Sequence, residues 1–236
     1  MRLGIDFKIH FRETTEKTSK KRKKTTIQHM KKAILTLWAA IGMAMLLSAY
    51  GDHEFNEVTI GTQVWMSENL NVGHFRNGDP IPEAKTDEEW AEADKKMQPA
   101  WCYYDNDPAN GAKYGKLYNW HAVNDARGLA PLGYRIPSDE DWGKLTAFLG
   151  RNAVAGKKMK STSGWDKKGN GNNRSGFSGL PGGHRSGQFS ALGIMGYWWS
   201  LPGPIRVLNE EDGYLAEVYF PNGMGFSVRC IKEGKK

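Results

Sequence analysis

Glycine, asparagine and proline recur so often through residues 51–236 that they leave only short apolar runs between them. Glycine and asparagine favour turns, and proline cannot donate a backbone hydrogen bond inside a helix or a central strand. We find no internal repeat. This pattern predicts an α+β domain with short antiparallel strands, two or three helices and long irregular loops.

The positive charge of the chain is confined to its start. The whole sequence has a formal net charge of +7, but residues 1–50 contain 11 Lys or Arg and only three Asp or Glu. Residues 51–236 contain the remaining 22 basic and 23 acidic residues, a net charge of −1. Because nucleic-acid binding depends on clustered cations, we predict no nucleic-acid partner for this region.

An uncharged stretch of 18 residues, Ala33–Tyr50, follows two lysines. A short cationic start, an apolar segment and a small-residue end are typical of a secretory signal, so residues 30–50 are predicted to be a signal peptide or a short membrane anchor. Tyr50 stands where a lipoprotein signal needs the lipid-bearing cysteine. We therefore expect an exported protein, secreted or at the outer surface of the cell envelope, that meets a membrane only through this segment.

Two segments carry the signals of capped helices. Thr86–Lys96 begins with a threonine, and Glu89 follows at the capping-box position. Ser138–Leu149 begins with a serine and three acidic residues. Its apolar residues are spaced to form one buried stripe of Trp142, Leu145, Phe148 and Leu149. A third, aromatic-rich helix is expected over Tyr114–Val123.

Alternating apolar and polar residues predict two hairpins. The first covers Glu57–Leu70 and turns at Gly61 and Thr62. The second joins Tyr214–Phe220 to Met224–Cys230, and its alternation predicts that Cys230 points into the core. Between the last capped helix and the second hairpin, residues 150–196 are poor in aliphatic side chains and are predicted to be irregular.

The chemistry of residues 51–236 does not indicate an enzyme. There is no phosphate-binding glycine loop and no G-x-S-x-G motif, and the histidines are scattered at His53, His74, His121 and His184. No cofactor is expected, with calcium as the one possible exception. Two oxygen-rich patches fit either a calcium site or solvated turns, and their acidic residues are Asp105, Asp107 and Asp166.

Eight motifs, in this order, resemble the Fibrobacter succinogenes major paralogous domain. They are VTIGTQVWMSENLN (58–71), FRNGDPIP (75–82), WCYYDND (101–107), YGKLYNWHAV (114–123), GYRIPSDEDW (133–142), SGFSGLPGGHR (175–185), GYWWS (196–200) and GFSVRCIKE (225–233). The resemblance implies that residues 51–236 are one such domain, exported by a bacterium, with a C-type lectin-like fold. By analogy with that fold, the ligand surface is expected at Trp199, Arg206, Asn209, Glu210, Asp212 and Tyr214.

The two cysteines, Cys102 and Cys230, allow either a disulfide or two buried thiols. In the family that the motifs resemble, many members carry cysteine at the position of Ala130 and some carry it at the position of Gly111, where the natural partners of Cys230 and Cys102 would lie. The resemblance therefore implies that the family disulfides are missing from this chain.

The combined interpretation is an exported, non-catalytic surface domain that binds a glycan or an extracellular protein. Two alternatives remain open at this point. One is an enzyme on a fold like that of the formylglycine-generating oxidases, which would need a reactive pair of cysteines. The other is a structural surface protein without a small ligand.

Residues 1–29 are rich in lysine and lack apolar periodicity, so they are predicted to be a disordered basic extension. Because a complete export signal begins at Met30, we predict that translation starts there. Mass spectrometry of the protein from its native cells is expected to yield no peptide from residues 1–29. Detection of such a peptide would refute this start site.

Overall fold

The computed structural model describes residues 55–234 and four isolated positions, Gln28, Lys31, Lys32 and Ile34, which are helical. Apart from those four positions, the predicted basic extension (1–29) and export segment (30–50) lie outside the described residues and stay predictions. Within the part of the chain that is described, no helix has both the length and the apolar character needed to cross a membrane.

Two short antiparallel sheets use strands from distant parts of the chain. The first has the order β1-β2-β11-β5, formed by Glu57–Ile60, Gln63–Met66, Ile231–Lys232 and Tyr134–Arg135. In the second, β3 (Trp101–Cys102) pairs with β4 (Leu117–Tyr118). The start and the end of residues 55–234 therefore meet in one sheet, where Ile231 lies opposite Trp65.

The largest sheet has five strands in the order β10-β9-β8-β6-β7. Their bounds are Ala216–Val218, Ile205–Asn209, Met195–Trp198, Gly182–Ser186 and Gln188–Leu192. All neighbours are antiparallel except β6 and β8, which run parallel with Gly183 opposite Gly196. The fold is therefore a mixed one of helices and several mainly antiparallel sheets.

Within residues 55–234 we find five α-helices and one 3₁₀ turn (Tyr104–Asn106), more than the two or three helices predicted. The helices are α1 (Asp87–Lys95), α2 (Pro108–Tyr114), α3 (Trp120–Val123), α4 (Asp139–Leu149) and α5 (Asn152–Met159). The capping box of α1 is confirmed at Thr86 with Glu89, and the predicted cap of α4 is confirmed at Ser138, which also forms a box with Asp141. The extra helices are short, and Asp107 and Asn119 cap α2 and α3.

Two aromatic cores lie on opposite sides of the largest sheet. Trp198 packs with Phe177 in one core (ring centroids 5.6 Å apart), and Trp199 packs with Phe226 in the other (5.0 Å). The first core also contains Trp65 and Trp142, whose centroids are 4.9 Å apart. Trp198 and Trp199 thus point to opposite sides of the sheet, and both side chains are buried.

Four sequence predictions about secondary structure need correction. Tyr114–Val123 is not one helix, because Gly115 ends α2 at φ +75° and the chain then forms β4 before α3. Residues 150–196 are not wholly irregular, since they contain α5, β6 and β7. Phe148 is 65% exposed and lies beside Gly61, off the buried stripe of α4.

The fourth correction concerns the C-terminal hairpin, which does not form. β10 pairs with β9 instead, and residues 225–230 run between other elements. The Phe226 amide donates to the Tyr118 carbonyl (3.1 Å), and the carbonyls of Val228 and Cys230 accept from Leu70 and Met66. Burial on both sides of this segment outweighs its local preference for a hairpin.

Within residues 55–234, five cationic side chains are buried, namely Lys116, Lys160, Arg185, Arg206 and Arg229. Each donates to at least one main-chain carbonyl of an irregular segment or strand end. Arg229 is the most enclosed, and it donates to Asn69 Oδ1 (2.7 Å) and to the carbonyls of Met66 and Phe177. Burial lowers the pKa of its guanidinium, because removing the positive charge from water costs free energy.

We expect Arg229→Met to lower the free energy of unfolding by about 3 kcal/mol, because it leaves buried carbonyls without a donor. Arg174→Met is the matched control, since Arg174 is exposed, and it is expected to change stability by less than about 0.5 kcal/mol. Urea denaturation measures both. Equal free energies of unfolding for the two variants would contradict the role given to Arg229.

Candidate functional site

The loop that follows β9 is fixed by its own side chains. Asn209 Oδ1 accepts hydrogen bonds from the amides of Glu211 and Asp212, both at 2.9 Å. Asp212 Oδ1 then accepts from the Tyr214 amide at 2.8 Å. Such side-chain to main-chain bonds are the ordinary reason why Asn and Asp stabilise turns. The loop therefore has a defined shape from sequence-local chemistry alone.

Lys160 supports the same loop from behind. Its side chain is buried at the end of α5, and Nζ donates to the carbonyls of Asn209 (2.9 Å) and Asp212 (2.7 Å). The Trp165 ring lies 5.1 Å from Nζ. Burial lowers the pKa of the ammonium, while the carboxylates of Asp212 and Glu210 act in the opposite direction.

The Gly- and Asn-rich segment after Lys160 packs directly on this loop. A Cβ at Gly169 would collide with the Glu210 carbonyl, and one at Gly171 would collide with the Lys160 carbonyl. Across the contact, Lys167 Nζ lies 3.1 Å from Glu210 Oε1. Only glycine permits this close approach. Residues 157–174 and 209–214 thus form one surface, which we call the loop face.

The outward side of the loop face is polar and carries one aromatic ring. Tyr214 is 47% exposed. The other exposed side chains are of both charges or neutral, and they include Lys157, Lys167, Lys168, Asn172, Glu211 and Asp212. Lys157 links the two segments, because its carbonyl accepts from the Asn172 amide (2.9 Å) and its Cβ lies beside Gly213.

The structure divides the six predicted ligand-binding residues into two groups. Asn209, Asp212 and Tyr214 belong to the loop face, where Asn209 acts as an internal brace and the other two are exposed. Glu210 lies in the same loop but is buried, and Trp199 and Arg206 are buried outside it, so these three side chains are not available on the ligand surface where they were expected.

Each of these three buried side chains has an internal partner. Trp199 Nε1 donates to the Tyr118 carbonyl (2.7 Å), and Glu210 meets Lys167. Arg206 donates to the Pro204 carbonyl and pairs with Asp139. The sequence indicated the segment that carries the loop, but the large side chains predicted to contact a ligand pack inside the domain instead.

The three predicted calcium ligands do not come together. Asp107 Oδ1 accepts from the Ala109 amide and caps α2, and Asp105 is exposed in the preceding turn. Asp166 lies far along the chain, beside Gly193. Within residues 55–234, no three His, Cys, Asp or Glu side chains form a group that could hold a metal ion.

Cys102 and Cys230 are both free thiols, and each is buried in a different hydrophobic cluster. Burial raises the pKa of Cys102 to about 11 and that of Cys230 to about 12. The prediction that Cys230 points into the core is confirmed. Neither thiol is poised for nucleophilic chemistry, because the reactive species is the thiolate.

Sequence reasoning missed Lys160, Lys167 and the two contact glycines of the loop face. A lysine is ordinarily a solvated surface residue, so the pattern offered no reason to bury Lys160. The weak signal was the glycine and asparagine spacing of residues 169–173, which indicates close backbone approach as well as turns.

Comparison with known proteins gives one family. The model of the Fibrobacter succinogenes major domain matches residues 58–232. No curated protein and no solved structure matches the chain. Of the strands and helices within residues 55–234, the matched range leaves out only Glu57, the first residue of β1, and it contains the whole loop face. The chain therefore belongs to the Fibrobacter succinogenes major domain family.

Proposed function

We propose that this domain is a non-catalytic binding module of an exported protein and that it recognises a glycan through the loop face. The observation that carries the proposal is Tyr214, a half-exposed ring on a loop that hydrogen bonds and close packing hold from behind. The uncharged stretch Ala33–Tyr50 supports export. The mixed fold with long braced loops is compatible with the C-type lectin-like architecture that the motifs imply.

The chemistry around Tyr214 suits a sugar ring. A phenol ring offers an apolar face for stacking and a hydroxyl for a hydrogen bond. Asp212, Glu211 and Asn172 supply acceptors and an amide, and Lys157 and Lys167 supply donors. Neighbouring groups of both signs favour a hydroxylated, neutral ligand over a highly charged one.

The bracing of the loop face supports binding as well as shape. A loop that is already ordered loses little conformational entropy when a ligand binds, so the affinity for the ligand is higher. The bonds to Asn209 Oδ1, Asp212 Oδ1 and Lys160 Nζ all fix main-chain atoms within residues 209–214.

An extracellular protein is the second candidate partner, favoured by a separate apolar feature. Tyr219 is 81% exposed directly after the edge strand β10, and Val218 of that strand is also exposed. Exposed aromatic residues at a sheet edge are typical of protein contacts. This surface lies outside the loop face, so the two candidates can be tested by different variants.

The thiol environment supports a non-catalytic role over the oxidase-like alternative. A cysteine-dependent oxidase needs an accessible pair of low-pKa thiols. Cys102 and Cys230 are instead buried apart, in clusters that contain Trp90 and Phe226 respectively.

We expect Tyr214→Ala to weaken glycan binding by about tenfold, equivalent to ~1.4 kcal/mol, through loss of the stacking face. A glycan array with the full chain identifies the ligand, and titration calorimetry measures its affinity. Tyr219→Ala is the matched control and should bind the glycan normally. If only Tyr219→Ala loses a partner, and that partner is a protein, the second candidate replaces the first.

The native thiols should react with a disulfide reagent roughly two orders of magnitude more slowly than an unfolded cysteine at mildly alkaline pH. The raised pKa values keep both groups protonated there, and burial blocks access. Unfolding in urea should release two reactive thiols per chain. Rapid reaction of the folded protein would favour the oxidase-like alternative.

A further inference from the structure

The environment of Lys160 Nζ has the composition of a cation site. Its two hydrogen-bond acceptors are main-chain carbonyls, of Asn209 and Asp212. The carboxylates of Glu210 and Asp212 lie close enough to favour the charged form. Carbonyl and carboxylate oxygens of one short loop are the ligands that hard metal cations such as calcium also use.

Covalent attachment and packing fix this cation in place. Lys160 follows α5 directly, and its amide donates to the Gly156 carbonyl (2.8 Å), so its position is set by the helix end. Gly156 itself packs against the Gly213 carbonyl, where a Cβ would come within 2.7 Å. Gly171 covers the Lys160 main chain from the other segment. The ammonium is thus enclosed between the two halves of the loop face.

A second cation cannot share these oxygens favourably. The lone pairs of the two carbonyls are directed at an ammonium, and like charges in a poorly solvated site repel strongly. A bound divalent ion would also need at least six oxygen ligands. In contrast, the lysine requires only the contacts that the loop already makes.

We propose that Lys160 is the resident cation of the loop face, and that this surface is ordered and binds its ligand without a divalent metal. The statement about order stands on the contacts of Lys160. The claim that ligand binding needs no divalent metal rests on the proposed function. It specifies how binding is regulated, since glycan affinity would not change with calcium.

Hydrogen exchange of the full chain tests the order directly. The amides of Glu211, Asp212 and Tyr214 report on the loop because all three donate to its side chains. In the wild-type protein their exchange rates should be the same in millimolar calcium and in a chelator. Lys160→Met should speed their exchange by about tenfold, as expected for lost charge-assisted hydrogen bonds.

Lys168→Met is the matched control, because it removes the same charge from an exposed side chain of the loop face. A solvent-exposed charge contributes little, so exchange in the loop should change by less than about threefold. Protection of the Trp90 amide in α1 shows whether Lys160→Met still folds. If that protection is lost, Lys160→Gln, a smaller change, takes the place of Lys160→Met.

Slower exchange of the three loop amides in calcium than in chelator would overturn the proposal, as would wild-type exchange in a folded Lys160 variant. The ligand arm is separate. Glycan binding that a chelator abolishes would refute metal-independent recognition and leave the proposed function intact. If no glycan on the array binds, the proposed function is refuted, while the hydrogen-exchange result still decides the role of Lys160.

Discussion

Buried cations that donate to main-chain carbonyls hold this fold together. A turn-rich chain leaves many carbonyls outside helices and sheets, and each one that is buried needs a donor. Lys116, Lys160, Arg185, Arg206 and Arg229 supply such donors at the points where irregular segments meet. Arginine and lysine suit this role because one long side chain reaches several acceptors, although each charge must leave water.

The same interaction joins the core to the candidate site. Arg229 connects the strand-like segment 225–230 to Asn69, which also accepts from Trp198 Nε1 (2.9 Å) in the aromatic core. Lys160 extends this arrangement outward, from the end of α5 to the loop that carries Tyr214. The loop face is therefore a rigid edge of the hydrophobic core, and its exposed side chains project from a fixed main chain.

Sequence reasoning succeeded where the structure is decided locally. The caps at Thr86 and Ser138, the turn at Gly61 and the buried position of Cys230 follow from neighbouring residues. It failed where distant partners decide. Residues 225–230 alternate like a hairpin strand but pair with Tyr118 and Trp199, and Trp199 and Arg206 have the chemistry of ligand contacts but fill the interior. The position of Tyr214 was predicted by analogy, whereas its support by Lys160 depends on a contact about fifty residues away.

The pairing of β2 with β11 places the first hairpin of the described region beside its last strand, with Trp65 opposite Ile231. A module whose entry and exit points adjoin can be spliced into a loop of a host protein, or repeated in tandem, without stretching either junction. Duplication and transplantation of the coding segment would then preserve the folded unit at each new location.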